Sequence, residues 1–378
     1  MTHSPTPNAL NRPVISSDFP DRHIASVLQP FVDSRTMAGA VILVATKDKV
    51  LTLETVGYCD LEAHKPMEPD NLFWIASMTK PMTATALMML VDEGKINIDD
   101  PVEKYLPEFK GQMVIAEQDE NHLLLRKPQH PILVREILSH TSGLDFTSAL
   151  ETPTLDRLHL RDAVRSYAMT ALKFEPGTKY LYSNAGTNTA GRLIETISGT
   201  SYEEFMDQRL FKPLGMHDTT FWPSEEQLRR LAKIYRSKED KTGLEEASIS
   251  QLSYPLNNPK RKPMPAGGLF SVAGDIVKFC QMILGGGIYE GRRYLSEPAI
   301  REMTRRQTGD AIETSYGLGW DTAGGKFGHG GAYKTRMTID PKLGLITVLL
   351  LHHANDWHRE DGNTILPVFT AAAEKLVA

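Results

Sequence analysis

The chain has 378 residues, 41% of them hydrophobic, which is enough for one large core or two subdomains. Its formal net charge is −5, with 42 Lys and Arg scattered among 47 Asp and Glu. That distribution offers no basic stripe of the kind that tracks nucleic acid, and no nucleic-acid partner is expected. No apolar run approaches the roughly 18 residues of a membrane-spanning helix, so no membrane span is expected either.

Residues 1–20 are rich in Pro, Ser and Asn and read as a loose N-terminal arm. They lack a charged start followed by an apolar run, so as written they are not a secretory signal. Cytoplasmic placement is the expectation, with the periplasm as the alternative if a signal has been removed. Over 21–34 the spacing of Ile24, Val27, Leu28 and Phe31 predicts a helix. The stretches "AGAVILVATKD" and "KVLTLETVGYCD" follow as two strands joined by a tight polar turn near Lys47 to Lys49. From 76 to 264 helices are expected to dominate. One begins after Ser77 and stops near Gly94. "PILVREILSHTSGL" reads as another, stopped at Ser142 and Gly143, and "NAGTNTAGRLIETISG" as a third, closed by Gly199. Ser201 with Glu204 forms the capping box of a fourth, "SYEEFMDQRLF". Residues 109–130 and 237–264 read as long irregular loops, "RSKEDK" at 236–241 being a solvated piece.

From 314 the pattern returns to strands, in "SYGLGWD", "KFGHGG", "TRMTIDP" and "LGLITVLLLHH", and "NTILPVFTAAAEKLVA" closes the chain as a helix. The expected fold class is therefore α/β in the α+β sense: an antiparallel sheet made from both chain ends, flanked by terminal helices, plus a mostly helical subdomain. The expected division is an arm at 1–20, a sheet-containing subdomain of 21–75 with 265–378, and a helical subdomain at 76–264, with a ligand cleft between the last two. Cys59 and Cys280 are the only cysteines. They read as two buried free thiols, a disulfide being the alternative, and the absence of a C-x-x-C pair argues against structural zinc.

Three segments carry candidate chemistry. In "FWIASMTKPMTATALMMLVDEGK" Ser77 and Lys80 lie three residues apart on one helix face, at the entrance of an otherwise apolar helix. A serine hydroxyl needs a base to become a nucleophile, and a buried lysine can be that base once desolvation lowers its pKa. The structural alternative is an N-cap serine with a lysine that snorkels to solvent. In "KYLYSNAGTN" Tyr182 and Asn184 sit two apart on an extended segment, so their side chains point the same way. A phenol near an ammonium loses its proton more readily, and Asn184 supplies both a donor and an acceptor. A surface turn with Asn184 as a helix N-cap would explain the same residues. In "GKFGHGGAYKT" His329, Gly330 and Gly331 end a short strand where glycine lets a substrate approach the backbone. A backbone N–H there could stabilise an oxyanion together with that of the nucleophile. A Gly-rich hairpin with a solvent-facing histidine is the alternative.

Together these segments resemble the penicillin-recognising serine hydrolases, with Ser-x-x-Lys, then Tyr-x-Asn about a hundred residues later, then His-Gly-Gly near the C-terminus. The branch they are most similar to holds class C β-lactamases, D-alanyl-D-alanine peptidases, D-aminopeptidases and family VIII esterases. "VREILSHTSGLDF", "FEPGTKYLYSNAG", "PAGGLFSVAGDIVKF" and "YGLGW" support the likeness, which spans about 21–378. The resemblance implies a β-lactamase/transpeptidase-like fold and a serine acylation mechanism with no metal or organic cofactor. Ser77 would form the acyl-enzyme, and Lys80 and Tyr182 would move the proton. Asn184 would hold the substrate amide or the lysine, and the N–H groups of Ser77 and Ala332 would form the oxyanion hole. Implied substrates are small esters, D-amino acid peptides or amides, and β-lactams. Strong penicillin hydrolysis usually goes with lysine where this chain has His329, a mostly neutral residue that grips a substrate carboxylate less firmly. Esters or D-amino-acid amides are thus expected ahead of β-lactams, with a true β-lactamase or a D-alanyl-D-alanine carboxypeptidase as alternatives.

Two other classes compete. A non-catalytic binding or sensor domain would predict a broken Ser-x-x-Lys, which is intact here. A metal hydrolase would draw on "HHANDWHRED", but His352, His353, Asp356 and His358 fit no zinc spacing. An α/β-hydrolase is disfavoured because no Gly-x-Ser-x-Gly elbow occurs.

Overall fold

The computed structural model describes residues 24–240 and 242–377; the arm expected over 1–20 lies outside them. Six strands form the main sheet, in the order Phe327–Gly330, Arg336–Asp340, Leu345–Leu350, Gly39–Thr46, Val50–Asp60, Lys65–Pro66. Every neighbouring pair is antiparallel. The two chain ends meet in the middle of the sheet, where Val41 lies opposite Leu350 and Thr46 opposite Leu345.

The first strand, "GAVILVAT", is apolar without alternation because both its faces are covered. Ala40, Ile42 and Val44 pack on one side with Leu28 and Phe31 of the first helix, Ile24–Asp33, and with Phe369 of the closing helix, Ile365–Glu374. Val41, Leu43 and Ala45 face the other side, toward Phe279 of the Ala273–Leu284 helix and Met82 of the helix after Ser77. Successive strand residues point to opposite faces, so one strand serves two hydrophobic layers. Burying each such large aliphatic side chain contributes roughly 1.5–3 kcal/mol. Val27, expected inward, sits at the rim of its helix and is 37% exposed. Glu54 receives the Ala25 N–H at 2.8 Å, a carboxylate at the positive end of the first helix.

The Thr79–Asp92 helix is buried without a break from Thr79 to Leu90. A helix apolar on all sides belongs at the centre of a domain, and this one lies against the Asn184–Ser198 helix. Close approach in this layer depends on missing side chains: a Cβ on Gly186 would stand 2.6 Å from the Ile137 carbonyl oxygen.

Several local expectations need correction. "PILVREILSHTSGL" is helical only over Val134–Leu138. The Glu136 carboxylate accepts from Leu133 N–H at its start, and His140, at φ +60°, turns the chain away before Ser142. The segment 109–130 is not irregular throughout. It contains the hairpin Val114–Gln118 with Leu123–Arg126, and Leu123 to Arg126 are all exposed, which leaves no alternation to read. Within 237–264, Leu244–Ala247 pairs with Ile234–Ser237, and His353–Ala354 adds a parallel third strand. "SYGLGWD" is a tight reversal with a Tyr316–Asp321 bridge, because Gly319 takes φ +79°. In the fourth helix Ser201 Oγ accepts from Glu204 N–H, the Ser201 half of the expected box, and the helix then loosens into a π turn at Asp207–Phe211. Cys59 and Cys280 are buried free thiols.

Candidate active site

Ser77 stands on a sharp turn. The short strand Phe73–Trp74 pairs with Phe270–Ser271, Ile75 N–H donates to Leu269 O at 3.0 Å, and a 3-10 turn at Ala76–Met78 leads into the helix. Ala76, immediately before the serine, has φ +45°. A buried alanine in the left-handed region is strained, and it persists only because the surroundings over-determine it. Thr79 helps to do so, donating to Ala76 O at 2.6 Å and accepting from Leu269 N–H at 3.3 Å. Ser77 is therefore not an N-cap, and its hydroxyl is left for other work.

Lys80 does not snorkel. It is fully buried, with Nζ 3.1 Å from Ser77 Oγ, 2.7 Å from Asn184 Oδ1 and 2.7 Å from Ala266 O. Burial holds its pKa well below the ordinary lysine value. A neutral amine has two N–H donors and one lone pair. Nζ donates to both carbonyl oxygens and aims its third position at Ser77 Oγ, so that once the lysine gives up a proton this position is a lone pair facing the hydroxyl.

Tyr182 hydrogen-bonds to Ser77 through its hydroxyl, and its ring centroid lies 4.6 Å from Lys80 Nζ. Burial pushes the phenol upward, so the easily lost phenol proton expected from the sequence is not found. Asn184 is not the N-cap of its helix; Ser183 is, accepting Gly186 N–H at 3.0 Å. That frees the Asn184 side chain for Lys80.

His329 lies on the strand Phe327–Gly330 and is buried, not solvent-facing. Its Nδ1 donates to Gly330 O at 2.7 Å and its Nε2 accepts from Tyr316 OH at 2.9 Å. Burial first, then Lys80, lowers its pKa to about 3, so the ring carries no charge near neutrality. Gly331 N–H donates to Thr335 O at 2.7 Å, and a Cβ on Gly331 would stand 2.6 Å from Ile75 O. The third segment is thus pressed backbone to backbone against the Ser77 turn. Arg336 pairs with Asp321 at 3.1 Å.

A cleft of about 510 Å³ opens over these groups. Ser77, Tyr182, Asn184, His329, Gly330, Gly331 and Ala332 all line it, and Lys80 lies beneath. Trp74, Phe146, Tyr180, Tyr316 and Met264 form apolar walls, with Gln251, Asp321 and Arg336 as polar groups.

Sequence reasoning missed the support around this core. Asn188, one turn after Asn184, accepts Ala266 N–H at 3.0 Å and donates to Tyr167 OH at 3.0 Å; Tyr167 in turn donates to Glu151 at 2.7 Å. This buried chain holds the residue whose carbonyl accepts from Lys80. The i, i+4 spacing of Asn184 and Asn188 was the available signal. Tyr316 and His140 were also missed, inside stretches that read as a strand and a helix. His352 and His353, candidates for a metal, are engaged in packing. His352 accepts Trp74 N–H at 3.0 Å and donates to Ala232 O at 2.9 Å, while His353 stacks on Trp357 at 3.8 Å.

A family model described as Beta-lactamase matches residues 24–367. Protein Rv1367c of Mycobacterium tuberculosis is 32% identical over 368 residues, covering 86% of this chain and 88% of that protein. Esterase EstB of Burkholderia gladioli is 27% identical over 369 residues, covering 87% and 89%. Among solved structures, EstCE1, described as a hydrolase with promiscuous acyltransferase activity, superposes with a TM-score of 0.77 at 22% identity, over 93% of this chain and 97% of its own.

Proposed function

This chain belongs to the Beta-lactamase family of serine hydrolases, and on that premise we propose that it cleaves small esters through an acyl-enzyme on Ser77. The observation that carries the reading is the Lys80 amine, 3.1 Å from Ser77 Oγ with both its N–H groups committed to Asn184 and Ala266. Lys80 takes the Ser77 proton as Oγ forms a bond to the substrate carbonyl carbon. Ser77 and Ala332 line the cleft, and their N–H groups receive, in this reading, the negative charge that develops on oxygen. The proton passes through Tyr182 to the leaving alkoxide, the C–O bond breaks, and an acyl-serine remains. Water then gives a proton to the same Lys80–Tyr182 pair as it attacks the acyl carbon, the acyl–Oγ bond breaks, the proton returns to Ser77 Oγ and the carboxylic acid leaves.

Substrate preference follows from charge. An ester needs a nucleophile, an oxyanion hole and an apolar wall. A β-lactam or a peptide ending in a carboxylate needs a cation as well. His329 is neutral, and Arg336 already faces Asp321. A charge-assisted contact contributes about 1.5–3 kcal/mol against about 1 for a neutral one, so the missing cation costs a carboxylate substrate roughly tenfold. D-amino-acid amides and peptides remain a second reading through Arg336, which lines the cleft. The test compares kcat/KM for p-nitrophenyl butyrate and benzylpenicillin in the parent and in His329→Lys. The parent should favour the ester, and His329→Lys should shift the ratio toward the β-lactam. A parent that prefers penicillin, or an unchanged ratio, would refute the preference.

A further inference from the structure

We propose that His140 is a positioning residue for Tyr182, gripping the chain on both sides of that tyrosine so that its hydroxyl stays on Ser77. The inference rests on the reading that Ser77 acylates with Tyr182 in the proton path.

His140 makes two contacts that bracket one residue. Its carbonyl accepts Leu181 N–H at 2.9 Å, and its Nδ1 accepts Ser183 N–H at 3.1 Å. Tyr182 lies between those two anchors. The imidazole also packs against the Tyr182 ring, with centroids 4.5 Å apart, while Lys80 Nζ lies 4.6 Å from the same ring centroid and Phe146 stacks at 6.3 Å. Position and tilt of the phenol are therefore set by backbone clamps and by ring contacts, and His140 supplies both.

Two features separate this from ordinary packing. First, the left-handed turn at His140 follows directly on the Val134–Leu138 helix and leaves both the His140 carbonyl and its ring nitrogen against the Leu181–Ser183 backbone. Second, with Nδ1 accepting, a neutral ring carries its proton on Nε2. That nitrogen is buried and has no hydrogen-bond partner among the described residues. The imidazole is packed among aromatic rings, its centroid 4.7 Å from that of Tyr316 and 5.8 Å from that of Tyr180. Burial, with Lys80 and His329 nearby, keeps the imidazole neutral, so Nδ1 remains free to accept.

The test uses two variants that both tolerate a left-handed backbone. His140→Gly keeps the turn and removes the acceptor. His140→Asn keeps the turn and places Oδ1 where Nδ1 was. With p-nitrophenyl butyrate as substrate, His140→Gly should lower kcat about 10- to 100-fold with KM changed less than about threefold, because a misplaced catalytic group costs rate before binding. His140→Asn should recover at least about tenfold of that loss. If His140→Gly does not fold by circular dichroism, His140→Ala replaces it, the smallest side chain without an acceptor, and Ala76 already holds a positive φ in this chain. Equal kcat in the acceptor-bearing and acceptor-lacking variants, whether both high or both low, overturns the proposal. Ser77→Ala is assayed alongside: if it stays active, the acyl-enzyme reading fails, whereas an inactive Ser77→Ala with equal His140 variants overturns only the role of His140.

Discussion

Burial lowers the Lys80 pKa and raises that of Tyr182, and in the proposed mechanism the two share one proton path, which removing either breaks. Lys80→Ala, Tyr182→Phe and the double variant should therefore lose similar amounts of kcat, on the order of a thousandfold or more, and fully additive losses would show independent action. The pH dependence has a definite sign. An ammonium at position 80 cannot accept the Ser77 proton, so kcat/KM should rise with pH across the Lys80 ionisation, which burial places below the ordinary lysine range. His329, at about 3, should add no inflection above pH 5. A profile unchanged in His329→Gln and abolished in Lys80→Ala would agree; activity that falls as Lys80 loses its proton would not. The identities of these residues were legible because Ser-x-x-Lys and Tyr-x-Asn each occur once in the sequence. Their protonation was not, since it depends on burial that only the assembled fold provides.

At the scale of elements, three backbone segments far apart in sequence meet with little space between them. Gly331 is the closest of these contacts. A methyl there would meet Ile75 O at 2.6 Å and Thr335 Oγ1 at 2.1 Å, and a backbone oxygen cannot rotate away. Gly331→Ala should cost about 1–3 kcal/mol of stability by overpacking and should lower kcat more than Ser77-independent binding. Urea unfolding with active-site titration measures both, and a variant equal to the parent in each would show that the turn yields easily. Long apolar elements such as Gly39–Thr46 and Thr79–Asp92 were readable as unbroken apolar runs bounded by turn residues, each covered on every side in the fold. The hairpin at Val114–Arg126 was not, because its second strand is wholly exposed. The helix expected over "PILVREILSHTSGL" was cut short at the left-handed His140, a conformation that no side-chain pattern announces.

For the whole molecule, the sheet that joins the chain ends is also what brings "FGHGG" to Ser77. Strand pairing from Phe327 to Leu350 carries the third segment to the first strand, and a single antiparallel sheet from both chain ends, though not its strand order, could be expected from strands at both termini. The buried histidines set a second global property. His329 titrates at about 3, His352 and His353 at about 4, and His140 well below the ordinary value, all chiefly through burial. Their folded pKa values lie below the unfolded value of about 6.5, so the unfolded chain binds protons that the folded chain refuses. Stability should be full above that value and fall as pH drops from about 6.5 toward 4, by up to about 1.4 kcal/mol per pH unit for each ring. Glu136, Glu151 and Asp275, raised by burial, oppose part of this. Urea midpoints should be lower at pH 5 than at pH 7; a higher midpoint at pH 5 would show that the carboxyl groups dominate.

The acyl-enzyme itself is the most direct object of measurement. Mixing the protein with p-nitrophenyl butyrate, quenching in acid within the first turnovers and analysing peptides by mass spectrometry should place one butyryl group on Ser77. The same group should be absent from Ser77→Ala and should accumulate when deacylation is slowed. A butyryl group on another residue, or full turnover with Ser77 never modified, would contradict the account.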